Sequence, residues 1–378
     1  MKIVIAADSF KGSCTAREAA EYMSRGIKRV FPSADTVELP IADGGEGTVE
    51  SLVAAANGRM VSVDTRDPLG RPISACYGLL PDGTAIVETA AASGLTLVPA
   101  SERDALHAST YGTGLLVRHA LEKGAKKIIL GLGGSATTDG GLGIAQALGI
   151  SFLDSDGAQL ASGGVELARL DRIDPAGLLP EAKDCEFILA CDVKNKLYGP
   201  EGAAYVFAPQ KGASPEQVRI LDAALENYGR VLRKQFGIDT AEREGSGAAG
   251  GLGCVFMAFL GAKVRPGIEL VLDTIDFDSH IRCADLVITG EGRLDSQSAY
   301  GKVPDGVARR TKRIKNIPVI AIGGSIGEGA EELYACGVDA MESTVSRITT
   351  LDDAMAHAGE NIEAAAERAM RLIRAGMQ

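Results

Sequence analysis

Tryptophan is absent from this 378-residue chain, and aromatic residues make up only 4% of it. With no flavin-specific loop either, that scarcity argues against a flavin protein. Basic residues are in deficit, 39 Lys and Arg against 50 Asp and Glu, for a formal net charge of −11. Such a balance argues against general binding to nucleic acid or to anionic membrane surfaces. The four histidines (His107, His119, His280, His357) are dispersed, which argues against a zinc cluster. Seven cysteines are scattered without a Cys-x-x-Cys pair and read as free thiols of a reducing compartment. No apolar run approaches the length of a bilayer span. The first apolar run breaks at Asp8, the mark of an opening strand rather than a signal peptide. No internal repeat or low-complexity tract is found. A cytoplasmic protein is expected.

What is present is an ordinary globular composition, 46% hydrophobic and 24% charged, with 47 glycines clustered after apolar runs. Length allows two domains. At the start, Lys2–Ala7 reads as a strand. Thr15 and Glu18 have capping-box spacing, and Ala19, Met23, Ile27 and Val30 recur with helical period. Thr36–Ala42 reads as a second strand, followed by a Gly-rich turn and a helix through Val49, Leu52 and Val53. Near the end, strands are expected at Leu286–Thr289, Pro318–Ile322 and Ala340–Thr344, with helices between them. A last helix carries Leu351, Met355, Ile362, Ala366, Ala369 and Ile373.

The middle differs. Met60–Thr65, Ile73–Leu79 and Thr84–Glu88 alternate and are separated by turns, as in an antiparallel meander. Strands are expected again at Lys127–Leu130 and Glu186–Cys191, and a long helix near Ser214–Phe236 with Pro215 in its first turn. The expected fold is therefore a doubly wound α/β domain, residues 1–65 and 284–378, interrupted by a second mixed α/β domain, residues 66–283. Its five strands, each followed by a helix, suit the flavodoxin-like order 2-1-3-4-5. The first strand then neighbours Leu286–Thr289 at the switch point, where ligands bind.

Four constellations follow strand ends. Lys11-Gly12-Ser13 offers a cation beside a helix start, suited to an anion, or else a plain solvated turn. The loop from Gly131 to Gly141 is nearly all small residues. Its amides and the hydroxyls of Ser135, Thr137 and Thr138 can cradle phosphate oxygens, although it lacks the Walker A lysine. Asp192 ends an apolar strand, placed for metal binding, proton abstraction or local capping, with Lys194 and Asn195 following. Gly290–Asp295 reads as a switch-point loop in which Arg293 suits a carboxylate or phosphate and Asp295 suits Mg²⁺ or a hydroxyl proton. Asp43, Glu46 and Asp139 are further loop carboxylates. Gly245–Gly250 formally matches Gly-x-Gly-x-x-Gly, but no strand precedes it; a flexible loop opening a packed helix is expected rather than a dinucleotide site.

Taken together, Asp8-Ser9-Phe10-Lys11-Gly12-Ser13, Ala42-Asp43-Gly44-Gly45-Glu46-Gly47-Thr48, the Gly131–Gly143 segment, and Gly290–Asp295 with Gly301-Lys302-Val303-Pro304 resemble the bacterial glycerate kinase family of the glycerate 2-kinase type. The resemblance runs nearly end to end. It implies a flavodoxin-like domain interrupted by a restriction-enzyme-like α/β domain. It also implies Mg²⁺-dependent transfer of phosphate from ATP to D-glycerate, giving 2-phosphoglycerate or, in other members, 3-phosphoglycerate. On that footing Lys11, Arg293, Ser13 and Arg66 are candidates to hold the substrate. Gly133, Gly134, Ser135, Ala136, Thr137, Thr138 and Lys194 are candidates for ATP. Asp192 is the candidate to orient the hydroxyl and take its proton, and Asp295 is a second candidate for that role. Asp295 and Asp43 are the candidates for Mg²⁺. D-glycerate and ATP are the expected partners of a monomer or homodimer. The competing reading is a non-catalytic sensor of a nucleotide or sugar acid, since fold alone does not set function.

Overall fold

Ile3-Val4-Ile5-Ala6-Ala7 is an unbroken apolar run, the pattern of a strand covered on both faces. It forms β1 (Lys2–Ala7), buried from Ile3 onward. The computed structural model describes residues 1–41, 49, 52–53, 56–239 and 241–377. In chain order the strands are β1, β2 (Asp35–Glu38), β3 (Arg59–Arg66), β4 (Pro72–Leu79), β5 (Thr84–Glu88), β6 (Lys127–Gly131), β7 (Ser151–Leu153), β8 (Arg172–Asp174), β9 (Glu186–Ala190), β10 (Lys263–Arg265), β11 (Leu286–Leu294), β12 (Val319–Ile326) and β13 (Ala340–Ser343). The chain divides into two units. One is Met1–Ala55 with Gly267–Gln378, and the other is Ala56–Pro266.

The first unit is built on a five-stranded parallel sheet of order β13-β12-β11-β1-β2. Counted within the unit this is 2-1-3-4-5, and β1 lies beside β11 with Ala7 opposite Gly290. Helix Ala16–Val30 starts from the expected Thr15–Glu18 capping box. It buries Ala19, Met23 and Ile27 in a core shared with Ile3, Ile5, Ile288 and Ile362. β2 ends at Glu38, yet Leu39 and Ile41 still donate to Ile5 and Ala7 of β1 at 2.8 and 3.0 Å, so Pro40, between them on the open edge of the sheet, takes no bond from the ladder. The final helical stretch is two helices, Leu351–Ala356 and Ala358–Gly376, rather than one. Leu351 accordingly stands 75% exposed instead of joining the apolar stripe.

The second unit carries a six-stranded sheet of order β10-β9-β6-β5-β4-β3 and a small β7-β8 pair. The β3-β4-β5 meander is antiparallel as the alternation predicts, while β5, β6, β9 and β10 run parallel. Helix Pro215–Phe236 has Ser214 and Gln217 as a capping box and Pro215 at its first turn. β3 pairs with β4 along its whole length, so the structure places the first boundary at Ala55/Ala56 rather than after residue 65.

Helices Gly267–Thr274 and Phe277–Arg282 belong to the first unit, not the second. Arg310, on helix Val303–Ile314, binds Asp278 at 2.6 Å and Asp273 at 2.7 Å and also pairs with Glu269. Its side chain is only 11% exposed. Its hydrogen bonds to these carboxylates, Asp278 foremost, outweigh burial and raise the guanidinium pKa further. Arg310→Ala should lower the unfolding free energy by about 2–4 kcal/mol, less than a fully buried pair would lose because the carboxylates keep some water. Urea unfolding measures this, and a loss below about 0.5 kcal/mol would mark the cluster as a solvated surface pair.

Candidate active site

In the second unit the loops after β6 and β9 are held together by backbone contacts. Ala136 donates to Ser93 O at 2.8 Å and Leu95 to Gly134 O at 2.8 Å, fastening one side of the loop after β6. On the other side Gly140 donates to Gly250 O at 2.9 Å. Gly250 has φ +70°, and a Cβ there would sit 2.0 Å from Thr137 O. Only glycine permits that approach. Its neighbour Ala249 takes a left-handed conformation, φ 50°, which costs an alanine about 1–2 kcal/mol. The Gly245–Gly251 stretch is buried and packed rather than flexible. It also receives the loop after β9, with Gly247 donating to Asn195 O at 3.0 Å.

Beneath the loop lies Lys211, only 2% exposed. Its Nζ donates to Ser135 Oγ at 3.0 Å and to Thr137 O at 2.6 Å. Burial pushes its pKa down to about 7, with Asp139 pulling the other way. Asp139 is fully buried and accepts from Thr110 N and Thr110 Oγ1, each at 2.8 Å, and from Gly141 N and Gly143 N at 3.1 and 3.2 Å. Burial raises its pKa while these donors oppose the rise. Asp139 is thus a staple of the loop. Gly133 and Gly134 are exposed, whereas Ser135, Ala136, Thr137 and Thr138 are buried. Among the described residues the Oγ1 atoms of Thr137 and Thr138 find no hydrogen-bond partner. Asp192 is exposed just past β9, and Lys194 is exposed with Glu244 at 3.7 Å. Arg66 stands apart from these loops on edge strand β3, donating to Gly70 O at 2.9 Å. It lines a cavity of about 450 Å³ with Asp67, His107, Ser109, Tyr111 and Gln146, a lining that among the described residues includes none of Gly133–Thr138.

In the first unit, Phe10 to Cys14 form a tight turn after β1. Ser13 N and Oγ both donate to Phe10 O at 2.8 Å, and Lys11 and Ser13 are exposed. β11 runs beside this turn, since a Cβ on Gly292 would lie 3.3 Å from Lys11 N. The sequence therefore brings Lys11 and the Gly290–Asp295 stretch together, but that stretch is not a loop. Residues through Leu294 remain strand because β12 continues the ladder, with Arg293 opposite Ser325 and Leu294 opposite Ile326. Asp295 accepts from Gln297 N at 3.0 Å and pairs with Arg293 at 3.2 Å, so each of its oxygens already has a partner. Arg293 keeps 67% of its side chain exposed.

Two acids given no role from sequence lie at the same strand ends. Asp8 is buried and accepts from Ser9 N at 2.6 Å. Glu291 is buried, accepts from Ser298 Oγ and lies 3.7 Å from Lys302 Nζ. Asp8 ends an apolar run and Glu291 closely follows one, which is a readable signal. Lys211 has none, because its local sequence, Ala208-Pro209-Gln210-Lys211-Gly212, looks like a solvated turn. Asp43 and Glu46 lie outside the described residues.

These features define an α/β protein with small-residue loops and exposed cations at the carboxyl ends of parallel strands, the place where such sheets bind anionic ligands. The glycerate kinase family model matches residues 3–374, and the chain belongs to that family. A glycerate kinase of Bacillus subtilis (strain 168) is 48% identical over 96% of this chain and 95% of its own length. A glycerate 2-kinase of Escherichia coli (strain K12) is 46% identical over 100% of this chain and 99% of its own. A crystal structure from Salmonella typhimurium LT2, provisionally described as glycerate kinase 2, matches with a TM-score of 0.90 at 47% identity, covering 100% of this chain and 99% of that one.

Lys211 makes stability depend on pH. Its folded pKa, about 7, lies below the ordinary 10.5. Between those values the unfolded chain binds a proton that the folded chain releases, so stability rises with pH across this window and is lost as pH falls toward 7. The contribution reaches about 1.4 kcal/mol per pH unit at most. Unfolding at pH 7, 8 and 9 should show Lys211→Met most stabilised relative to the wild type at pH 7, with the difference shrinking as pH rises. Parallel pH profiles would refute the assignment.

Proposed function

We propose that this chain is an ATP-dependent glycerate kinase that phosphorylates D-glycerate to 2-phosphoglycerate and releases ADP. The observation that carries the reading is end-to-end similarity to a protein named glycerate 2-kinase, 46% identical over the whole chain. The site chemistry agrees with it. Glycerate is a small anion whose carboxylate needs a fixed cation. Lys11 and Arg293 fill that role from neighbouring strand ends, with Ser13 beside them. Arg293 is aimed by Asp295. Arg66 is a further cation for substrate, although its edge-strand position gives it less support.

Gly133 to Thr138, with Lys194, receive the ATP phosphates through amides, hydroxyls and charge. The substrate hydroxyl oxygen attacks the γ-phosphorus as the bond to the β-phosphate oxygen breaks, and Asp192 takes the hydroxyl proton. Positioning and electrostatics supply most of the acceleration in such transfers. Magnesium fits the donor set as a metal carried largely by phosphate oxygens. Among the described residues no group of three or more His, Cys, Asp or Glu side chains forms a metal cage. One or two carboxylates suffice, and Asp295 and Asp43 are assigned to it. Magnesium would neutralise charge on the transferring phosphoryl group.

We further read the first unit as flavodoxin-like, supported by its strand order, and the inserted unit as restriction-enzyme-like. We also propose a cytoplasmic enzyme acting as monomer or homodimer; the seven free cysteines agree with a reducing compartment.

Phosphorus NMR of the product should show phosphate on the 2-hydroxyl, and a 3-phospho product would overturn the regiochemistry. Lys11→Ala should raise KM for glycerate about 10–100-fold while leaving KM for ATP near its original value. Asp192→Asn should lower kcat about 10²–10⁴-fold without unfolding the protein. Near-normal turnover in that variant would remove Asp192 as the base.

A further inference from the structure

A fully buried lysine is costly to keep, because burial removes its hydration and disfavours its charge. Lys211 nevertheless reaches the loop after β6 at two points, Ser135 Oγ and Thr137 O. It is carried by the short turn Pro209–Lys211, whose backbone is itself fixed. Arg103 donates to Gln210 O at 3.1 Å, and Lys211 N donates to Ala208 O at 3.0 Å. The two tethered residues flank Ala136 and sit directly after the exposed pair Gly133 and Gly134. An apolar side chain would fill the same space without desolvating an amine. The site instead uses Nζ to grip one side-chain hydroxyl and one backbone carbonyl of the same loop, while the adjacent hydroxyls of Thr137 and Thr138 find no partner among the described residues.

That arrangement fixes the path of the loop from within, leaving its outer face to receive a ligand. We propose that Lys211 is a positioning residue for nucleotide binding, tying Ser135 and Thr137 into the shape in which the Gly133–Thr138 loop accepts the phosphates of ATP. The inference rests on the reading of that loop as the ATP phosphate site. Lys211 touches the loop, not the nucleotide, so its removal should loosen ATP binding and leave glycerate recognition alone. The effect should follow the number of donors left at the position.

The test uses the full chain with steady-state kinetics for both substrates, calorimetric titration with MgADP, and thermal unfolding to confirm folding. Lys211→Met should raise KM for ATP and weaken MgADP binding about tenfold, with KM for glycerate within about twofold of wild type. Lys211→Gln, which keeps a donor amide, should fall between wild type and Lys211→Met. If only Lys211→Gln folds, a KM for ATP within about twofold of wild type overturns the proposal. Gly134→Val provides the control, because it strains the exposed part of the loop at φ +71° without touching Lys211. If Gly134→Val raises KM for ATP and a folded Lys211→Met does not, the role of Lys211 is refuted and the loop assignment stands. If neither variant changes KM for ATP, the loop is not the phosphate site and both readings fall. An equal rise in both Michaelis constants in Lys211→Met would assign Lys211 a merely structural role and overturn the proposal.

Discussion

The candidate nucleotide site depends on one close approach, the backbone of Gly250 against the carbonyl of Thr137. No side chain fits between them. Because that contact exists, the 245–251 stretch fills the space between the loops after β6 and β9, accepting a hydrogen bond from Gly140 N on one side and donating one to Asn195 O on the other. The left-handed Ala249 is the strain that this packing sustains. Asp139 and Lys211 then complete the same layer from below, one accepting from loop and helix amides and the other donating to the loop. The glycines therefore act less as hinges than as absent side chains.

Much of the fold was readable because its signals are local. The apolar runs of β1, β6 and β9, the Thr15–Glu18 cap, Pro215 in its helix's first turn and the alternation of β3 and β4 each appear within a few residues. Element order then gave the neighbour relation of β1 and β11. The extension of β11 through Leu294 was hidden, because Gly290 and Gly292 look like a loop until β12 supplies partners. The break at His357 and the exposure of Leu351 were hidden for the same reason, since helical spacing says nothing about what covers a face.

The site was legible in part. Lys11 and Arg293 stand out as candidates because each is a cation after an apolar strand, and their segments do adjoin. Glu291 was visible in the motif but passed over in favour of Asp295, whose two oxygens are occupied locally. Lys211 was invisible. Its burial comes from contacts far along the chain, with Ser135 76 residues away. The acidic surface did not mislead, because a net charge of −11 leaves room for a few exposed cations where strands end.

The first sheet joins residues that are made far apart in time. Lys2 bonds to Asp285 across 283 residues, and the whole second unit is spelled out between them. At translation rates of roughly 5–20 residues per second, β1 waits about 15–60 s for its neighbour while the inserted unit already has every residue it needs to fold. An apolar strand kept waiting that long is a target for mispairing. Until β11 emerges, β1 has only β2 on its other edge and the helix Ala16–Val30 on one face to cover it.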